Sequence, residues 1–414
     1  MYKLNQCFET KKFQLVRSVY GGINMKKSLF VCFILVALLA SPLFAQGGGE
    51  SSSPKIGFMG PMTGDYANYG VRSNNSVILA VEQFNANGGF GGKIPAVLVS
   101  EDSEGNVEKG LSAIEKLSSA DQIVGMIGPV LTGTSFAVGE RVQSEGIVMI
   151  SPSATHADIT SIGDYVFRTV VSDGLQGEVA GHYFYDELDY RNLAVLYAKN
   201  DYSQGLYEGM TAAFEAAGGK VTIAESFQVG DKDFKTQLTK IRSANPEAIY
   251  IPNYTAEMAQ TLEQATQLGM DIPFLSCDGF SNPEIYDLAG EFTDGVIYVG
   301  PAKVKESPAY SNFVAQYEAK FGVGPDSFAT NAYDGANILL KAMDKVYKET
   351  GKFDRAAIRD AVAATKDFAG VSGTVNFAEN GDLVAYQGLY KVNGTTPEYL
   401  GSYTVVDGVL TQVD

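Results

Sequence analysis

Cysteine, histidine and positive charge are all scarce in this chain. Three cysteines and two histidines occur in 414 residues. Cys7 and Cys32 fall in the leader described below, so Cys277 stands alone after processing. One thiol forms no intramolecular disulfide. Cys277, His156 and His182 are too few ligands for a structural zinc site, so no metal and no cofactor are expected. Lysine and arginine number 31 against 48 aspartates and glutamates, a formal net charge of −17. Such a surface repels nucleic acid and anionic lipid and favours solubility. There is no G-x-S-x-G elbow either, which removes one common hydrolase signature.

What is present reads as an exported globular protein. Hydrophobic residues make up 45% and charged residues 19%, enough for a large core, and the length allows roughly two to three domains. Residues 25–45, MKKSLFVCFILVALLASPLFA, combine a lysine pair, an apolar run from Leu29 to Leu39 and a small residue at Ala45. This is the pattern of a secretory signal peptide, and the run is too short to span a bilayer. Cleavage is expected after Ala45 and the mature protein in the periplasm. Residues 1–24 have neither a core nor a targeting pattern, so the natural start is expected at Met25, with 1–24 an upstream extension. Removing residues 1–45 leaves 25 basic and 47 acidic residues, a net charge of −22. Residues 46–53, ending GGGESSS, read as a flexible tether.

From Pro54 onward, apolar runs alternate with helical periodicity. KIGFMG (55–60), AVLVSED (96–102), QIVGMIG (122–128) and IVMIS (147–151) are separated by segments such as SNNSVILAVEQFNANGG (73–89). A second alternation begins near residue 190 with NLAVLYAKNDY, VTIAESF, AIYIPNY and IPFLSCDG, then GVIYVGP (295–301). The tail has strands around Val375 and Leu389, with Asn380-Gly381 and Asn393-Gly394 as hairpin turns. Alternation of this kind predicts an α/β fold: two lobes, each with a parallel central sheet and crossover helices. The glycine-rich NGGFGGK follows a helix and precedes a strand, the reverse of a phosphate loop.

The strand ends carry the functional argument. IGPVLTGTS (127–135) and IVMISPSAT (147–155) both run from apolar residues into small hydroxyl residues. Each loop alone reads as a helix N-cap, where Ser and Thr are favoured. Ligands of open α/β sheets, however, collect beyond the carboxyl ends of strands, and hydroxyls with free N–H groups suit an anion. The second half ends its strands at Tyr202, Tyr254 and Asp278. Aromatics and a carboxylate there suit a cation, and a zwitterion of amino-acid type satisfies both lobes together.

At these residues the chain resembles the periplasmic branched-chain amino-acid-binding proteins, soluble receptors of an ABC importer family. The resemblance covers residues 54–414 and rests on ordered motifs: GPMTGDYANYG (60–70), NANGGFGGK, IGPVLTGTS, MISPSAT, YVFRT, KNDYSQG, DKDF, NYTAEM, CDGF, NAYDGAN and FAENGDL. It implies the type I periplasmic-binding fold, two Rossmann-like lobes joined by a three-stranded hinge. Lobe I would take 54–171 plus 302–384 and lobe II 172–301 plus 385–414. It also implies residue roles. Thr132 falls where the ligand carboxylate is bound, Ser153 where a backbone carbonyl receives the ammonium, and Thr155 where hydroxyl and N–H meet the ligand ends. Asp278 falls where an acid pairs with the ammonium, and Tyr69, Tyr202, Tyr254 and Phe328 where side chains wall the pocket. Two features depart from the family. The first-lobe disulfide has no counterpart near Asp102–Asn106 or Leu131, and Asp278 is one methylene shorter than the glutamate of leucine-type receptors.

Taken without the resemblance, Asp278-Gly279 reads as a turn, the tyrosines as half-buried surface residues, Phe328 as core and Cys277 as a small buried hydrophobe. The expected function is a non-enzymatic, monomeric receptor that closes on leucine, isoleucine or valine and docks on ABC permease subunits in the cytoplasmic membrane. An exported hydrolase or amidase acting on amino-acid derivatives is the alternative from another class. His156, read as a helix-start surface residue, is its only candidate base. A receptor of the same fold for a short amide or organic acid, or a sensory module, also stays open. N-terminal sequencing of the unprocessed precursor is expected to begin at Met25; finding Met1 would sink that start site.

Overall fold

The computed structural model describes residues 53–413. The expectations for the upstream extension, the signal peptide and most of the tether therefore lie outside the described residues. Strand β1 (Lys55–Gly60) pairs in parallel with β2 (Val97–Asp102) on one side and β3 (Gly125–Ile127) on the other. β4 (Val148–Ser151) and β5 (Val166–Arg168) continue the sheet, giving the order β2-β1-β3-β4-β5. β3, β4 and β5 are buried throughout, as expected of strands covered by helices on both faces. The order reverses between β1 and β3, which is where ligands of open α/β sheets gather.

The second sheet repeats the plan. β6 (Asn192–Ala198) lies between β7 (Lys220–Phe227) and β8 (Ala248–Tyr250), followed by β9 (Phe274–Ser276) and β10 (Ile297–Pro301), all parallel. β13 (Gln387–Asn393), β14 (Thr396–Val406) and β15 (Val409–Gln412) extend it as an antiparallel meander beyond β10. The short pair β11 (Phe368–Ala369) and β12 (Thr374–Val375) stands apart. The chain leaves the first sheet after β5, returns after β10 and crosses again before β13, so three segments join the two lobes.

Helix boundaries differ from the expected ones in informative ways. The first helix, α1 (Ala67–Ala86), begins six residues before the apolar repeat that marks it in the sequence. Its first turn includes Gly70, where an added Cβ would stand 1.9 Å from the Pro61 carbonyl oxygen. That glycine permits close approach and does not break the helix. α2 (Val107–Glu115), α3 (Thr132–Glu145), α4 (Asp173–His182), α5 (Asp201–Ala216), α6 (Lys235–Ala244), α7 (Thr255–Gln267), α8 (Glu284–Ala289) and α9 (Pro308–Phe321) follow in order. α10 (Ser327–Thr350) starts where Asp326 caps it by accepting the Ala329 N–H at 2.8 Å. With α11 (Arg355–Ala363), it returns to the first lobe: α10 packs on α1, β3 and β4. α4 and α5 pack closely because Gly177 and Gly181 face the α5 backbone, where an added Cβ would come within 2.7 and 2.5 Å of it.

The tail turns also need correction. The β13–β14 turn centres on Gly394-Thr395, since Asn393 still pairs with Thr396. A further hairpin, at Asp407-Gly408, was not anticipated; both residues have positive φ, +51° and +74°, which Asp-Gly supplies readily. The Asn380-Gly381 turn holds Phe377 against Leu383 in a single bridge.

Asp326 yields a pH test of this packing. Burial pushes its carboxyl up to about 6, and Arg72, 3.9 Å away, offsets only part of that. The native pKa lies above the unfolded 3.8, so the native state holds more protons between the two values. This contribution to stability is therefore present at low pH and lost as pH rises through about 6. Asp326→Asn keeps the capping acceptor and removes the charge. Urea midpoints should show the variant less pH-dependent between pH 4 and 7 and more stable at pH 7, by up to about 3 kcal/mol. An unchanged pH profile would contradict this.

Candidate ligand-binding cleft

The loop after β3 delivers Thr132 to the first position of α3. Leu131 is the N-cap and offers no side-chain acceptor, so the capping interpretation of this hydroxyl run does not hold. The Thr132 hydroxyl is buried with no hydrogen-bond partner among the described residues. A helix N-terminus left this way presents N–H groups and a hydroxyl to an anion. Ser135, in contrast, spends its hydroxyl on the carbonyls of Leu131 and Pro129, at 3.0 and 3.3 Å.

After β4 no α-helix begins; a single 3₁₀ turn (Thr160–Ile162) precedes β5. Ser151 donates to the Pro129 carbonyl at 2.6 Å and accepts the Ala154 N–H at 3.0 Å, tying the two loops together. Ser153 is half-buried and Thr155 buried. His156 therefore sits in a loop and not at a helix start: its Nδ1 accepts the Asp158 N–H at 3.2 Å, and its ring meets Phe136 edge-on. Arg168, fully buried, holds this loop. Its guanidinium donates to the carbonyls of Thr155 and His156, both at 2.7 Å, and pairs with Asp382 at 2.6 Å. The Arg168 N–H also reaches the Gly381 carbonyl at 3.2 Å, so the Asn380-Gly381 hairpin braces the loop.

Opposite lies a second constellation. Asp278, 5% exposed, opens a short 3₁₀ turn after β9. Its Oδ1 accepts from the Tyr202 hydroxyl at 2.7 Å and from Gln176 Nε2 at 3.2 Å. Its backbone N–H donates to Gln176 Oε1 at 2.7 Å. The turn reading of Asp278-Gly279 misses the reason for the glycine. A Cβ there would lie 2.6 Å from the Asn253 carbonyl and 2.9 Å from the Tyr202 hydroxyl, which instead accepts the Gly279 N–H at 3.1 Å. Asn253 ties β6 to β8 through Ala198 N–H (2.7 Å) and the Leu196 carbonyl (2.8 Å).

Aromatic rings link the lobes. Phe328 and Tyr69 meet edge-on at 5.3 Å, Tyr69 and Tyr254 at 5.6 Å, and Tyr254 stacks on Tyr202 at 4.6 Å. The Tyr69 hydroxyl lies 2.7 Å from Thr255 Oγ1, and the Tyr66 hydroxyl donates to Glu257 at 3.1 Å. Residues at the start of α1 thus touch the first turn of α7 directly, and the cleft is closed. Phe328, Tyr69, Tyr254, Tyr202 and Asp278 form one continuous wall. Thr132 stands off it, at the facing helix start, where a Cβ on Gly133 would come within 3.3 Å of Asp201. Ser153 makes only a 3.5 Å backbone contact with Ser151.

Asp173, Gln176, Arg168, Thr255 and Glu257 escaped the sequence analysis. The available signal was the Ser172-Asp173 helix start at the lobe crossing, with Gln176 one turn later on the same face. Burial raises the carboxyls of Asp278, Asp173 and Glu257 above the usual range, and for Asp173 the Asp278 charge adds to it. A cavity of about 80 Å³ adjoins Gln176 and Asp278 on the hinge side, reaching Asn331 and Gln387.

The family model for periplasmic binding proteins matches residues 53–396. The chain belongs to that family. A leucine-, isoleucine-, valine-, threonine- and alanine-binding protein of Pseudomonas aeruginosa is 30% identical over 360 residues, 87% of this chain and 95% of its own. A leucine-binding protein LivK of Thermotoga maritima superposes with a TM-score of 0.78 at 27% identity, covering 84% of this chain and 98% of its own. LivJ of Streptococcus pneumoniae, a branched-chain amino acid transporter substrate-binding protein solved with isoleucine, gives 0.76 at 27% identity over 85% and 99%. The two-lobed α/β architecture expected from the sequence is that of this periplasmic-binding-protein family.

Cys277 is fully buried in this family member, and burial followed by the Asp278 charge drives its thiol well above the usual range. A thiol reagent should leave Cys277 unlabelled in the native protein and modify it after denaturation. Rapid native labelling would contradict the closed, buried arrangement.

Proposed function

We propose that this protein is an exported, non-catalytic substrate-binding protein of an ABC importer, whose lobes close on one free leucine, isoleucine or valine. The observation that carries the reading is the pairing of opposites in one closed cleft. An uncapped helix start with the unpartnered Thr132 hydroxyl suits a carboxylate. The buried Asp278 carboxylate, held by Tyr202 and Gln176, suits an ammonium, and the aromatic wall suits an apolar side chain. Ser153 and Thr155 would complete the polar ring, with Tyr69, Tyr202, Tyr254 and Phe328 as its apolar walls. The names of the relatives point to the same ligands. Hinge motion would occur between 54–171 plus 302–384 and 172–301 plus 385–414, around the three crossings. The closed form, as a monomer in the periplasm, would dock on the permease. The hydrolase alternative is disfavoured, because His156 Nδ1 already accepts the Asp158 N–H and its ring packs edge-on against Phe136.

Calorimetry of the exported protein, stripped of ligand by unfolding and refolding, against the twenty amino acids tests the reading. One-to-one binding of a branched-chain amino acid is expected. Asp278→Ala should weaken it by roughly 2–5 kcal/mol, the range for truncating one partner of a buried charge pair. Silence across the panel would overturn the amino-acid reading and turn the search to amides and organic acids; unchanged affinity in Asp278→Ala would remove that residue from the site.

A further inference from the structure

The cleft holds one more acid than a single ammonium requires. Asp173 begins α4 at the crossing between lobes and is 2% exposed. Its N–H donates to the Thr155 carbonyl at 2.7 Å, joining it to the first lobe's loop. Its Oδ1 accepts from Gln176 Nε2 at 3.1 Å, and the same nitrogen donates to Asp278 Oδ1 at 3.2 Å. One side-chain amide therefore holds two carboxylates, one by each hydrogen. Asp173 Oδ2 has no hydrogen-bond partner among the described residues. The Thr155 hydroxyl faces the Asp173 carboxyl without making a hydrogen bond of good geometry, and the Thr132 hydroxyl is likewise unpartnered. Both threonines are buried.

Among the described residues, no cation forms an ion pair with either acid. Arg168 is the positive charge that Asp173 senses, but its guanidinium is committed to Asp382 and to the carbonyls of Thr155 and His156. The other titratable groups facing the two acids are Cys277, Tyr69, Tyr202, Tyr250 and Tyr254. Burial holds all five in their neutral forms.

We propose that Asp173 is a second acidic anchor for the ligand's ammonium group, and that the Asp173–Asp278 pair shares one proton in the closed cleft, so that ligand binding at neutral pH takes up a proton. The inference rests on the amino-acid reading. In an open cleft both carboxyls are solvated and ionised. Closing over one ammonium with both acids charged would leave a net negative charge buried at short range, which is strongly unfavourable. Taking one proton from the buffer makes the ammonium end of the site neutral: one carboxylate, one carboxylic acid, one ammonium, with the ligand's own carboxylate met separately at the α3 start. The proton returns to solvent when the cleft opens. The titration then belongs to the pair and not to either residue. The unpartnered Oδ2 becomes either the second acceptor for the ammonium or the atom that carries the shared proton.

The test is calorimetry of leucine, isoleucine and valine binding to the full exported protein from pH 6 to 8, in buffers of different ionisation enthalpy. Uptake of one proton predicts that affinity falls about tenfold per pH unit and that the apparent enthalpy shifts with the buffer by about one ionisation enthalpy. Asp173→Asn retains the Gln176 contact; it should bind with a pH-independent affinity and show no buffer dependence. A residue that merely positioned Gln176 would change affinity equally at all pH values and leave the slope intact. Wild-type binding without pH slope or buffer dependence would overturn the inference, as would an Asp173→Asn variant that keeps the wild-type slope. If that variant fails to fold, the wild-type buffer series decides alone. Absence of any amino-acid binding would overturn the underlying reading and this inference with it, and is distinguishable from binding without proton uptake.

Discussion

Arg168 is the buried cation on which the cleft depends. Burying a guanidinium is tolerable only when its donors are satisfied, and removing one partner of such a pair is more damaging than never having made it. Here Asp382 supplies the charge, while the carbonyls of Thr155 and His156 occupy further donors. Three segments distant in the chain are thereby held together: the end of β5, the loop after β4 and the hairpin around Asn380-Gly381. The loop carrying Ser153 and Thr155 has no helix to hold it, so this side chain provides its rigidity. The same interaction removes Arg168 from the acids nearby, which shapes the electrostatics of the whole site.

Those electrostatics are one-sided. Asp173, Asp278 and Glu257 lie buried where the lobes meet, each with its charged form disfavoured by burial. Closure is made by Tyr69 on Thr255, Tyr66 on Glu257, the edge-on meeting of Tyr69 and Tyr254, and the exposed Lys232–Asp65 ion pair at 3.4 Å. Under the proposed reading, a positively charged group entering the cleft would relieve the repulsion and favour the closed state, while an anionic group would sit at the α3 start. Binding and closure are then coupled by differential interaction with one conformation, which is the requirement for any ligand-driven movement.

Much of the architecture was legible in the sequence. Buried parallel strands read as continuous apolar runs, so β1, β2 and β4 were found nearly to the residue, while the run read for β6 overshot its end at Ala198 into the start of α5. The errors follow from local rules being overridden. α1 was begun too late because its first turn holds Asn68 and Gly70, which pattern reasoning assigns to loops; Gly70 is there for backbone clearance. His156 was assigned a helix start because Ser and Thr usually announce one. The Asp407-Gly408 hairpin was overlooked although Asp-Gly is a strong turn signal.

For the cleft, the sequence by itself determined which strand ends carry hydroxyls, aromatics and the Asp278 carboxylate, because β–α alternation puts those positions on one rim of each sheet. Only the tertiary structure decided that Gln176 reaches Asp278 across 102 positions, that Arg168 is spent on Asp382, and that Asp173 is left with an unpartnered oxygen. Burial, spacing between distant residues and the satisfaction of buried charge arise from packing, and no periodicity in the chain encodes them.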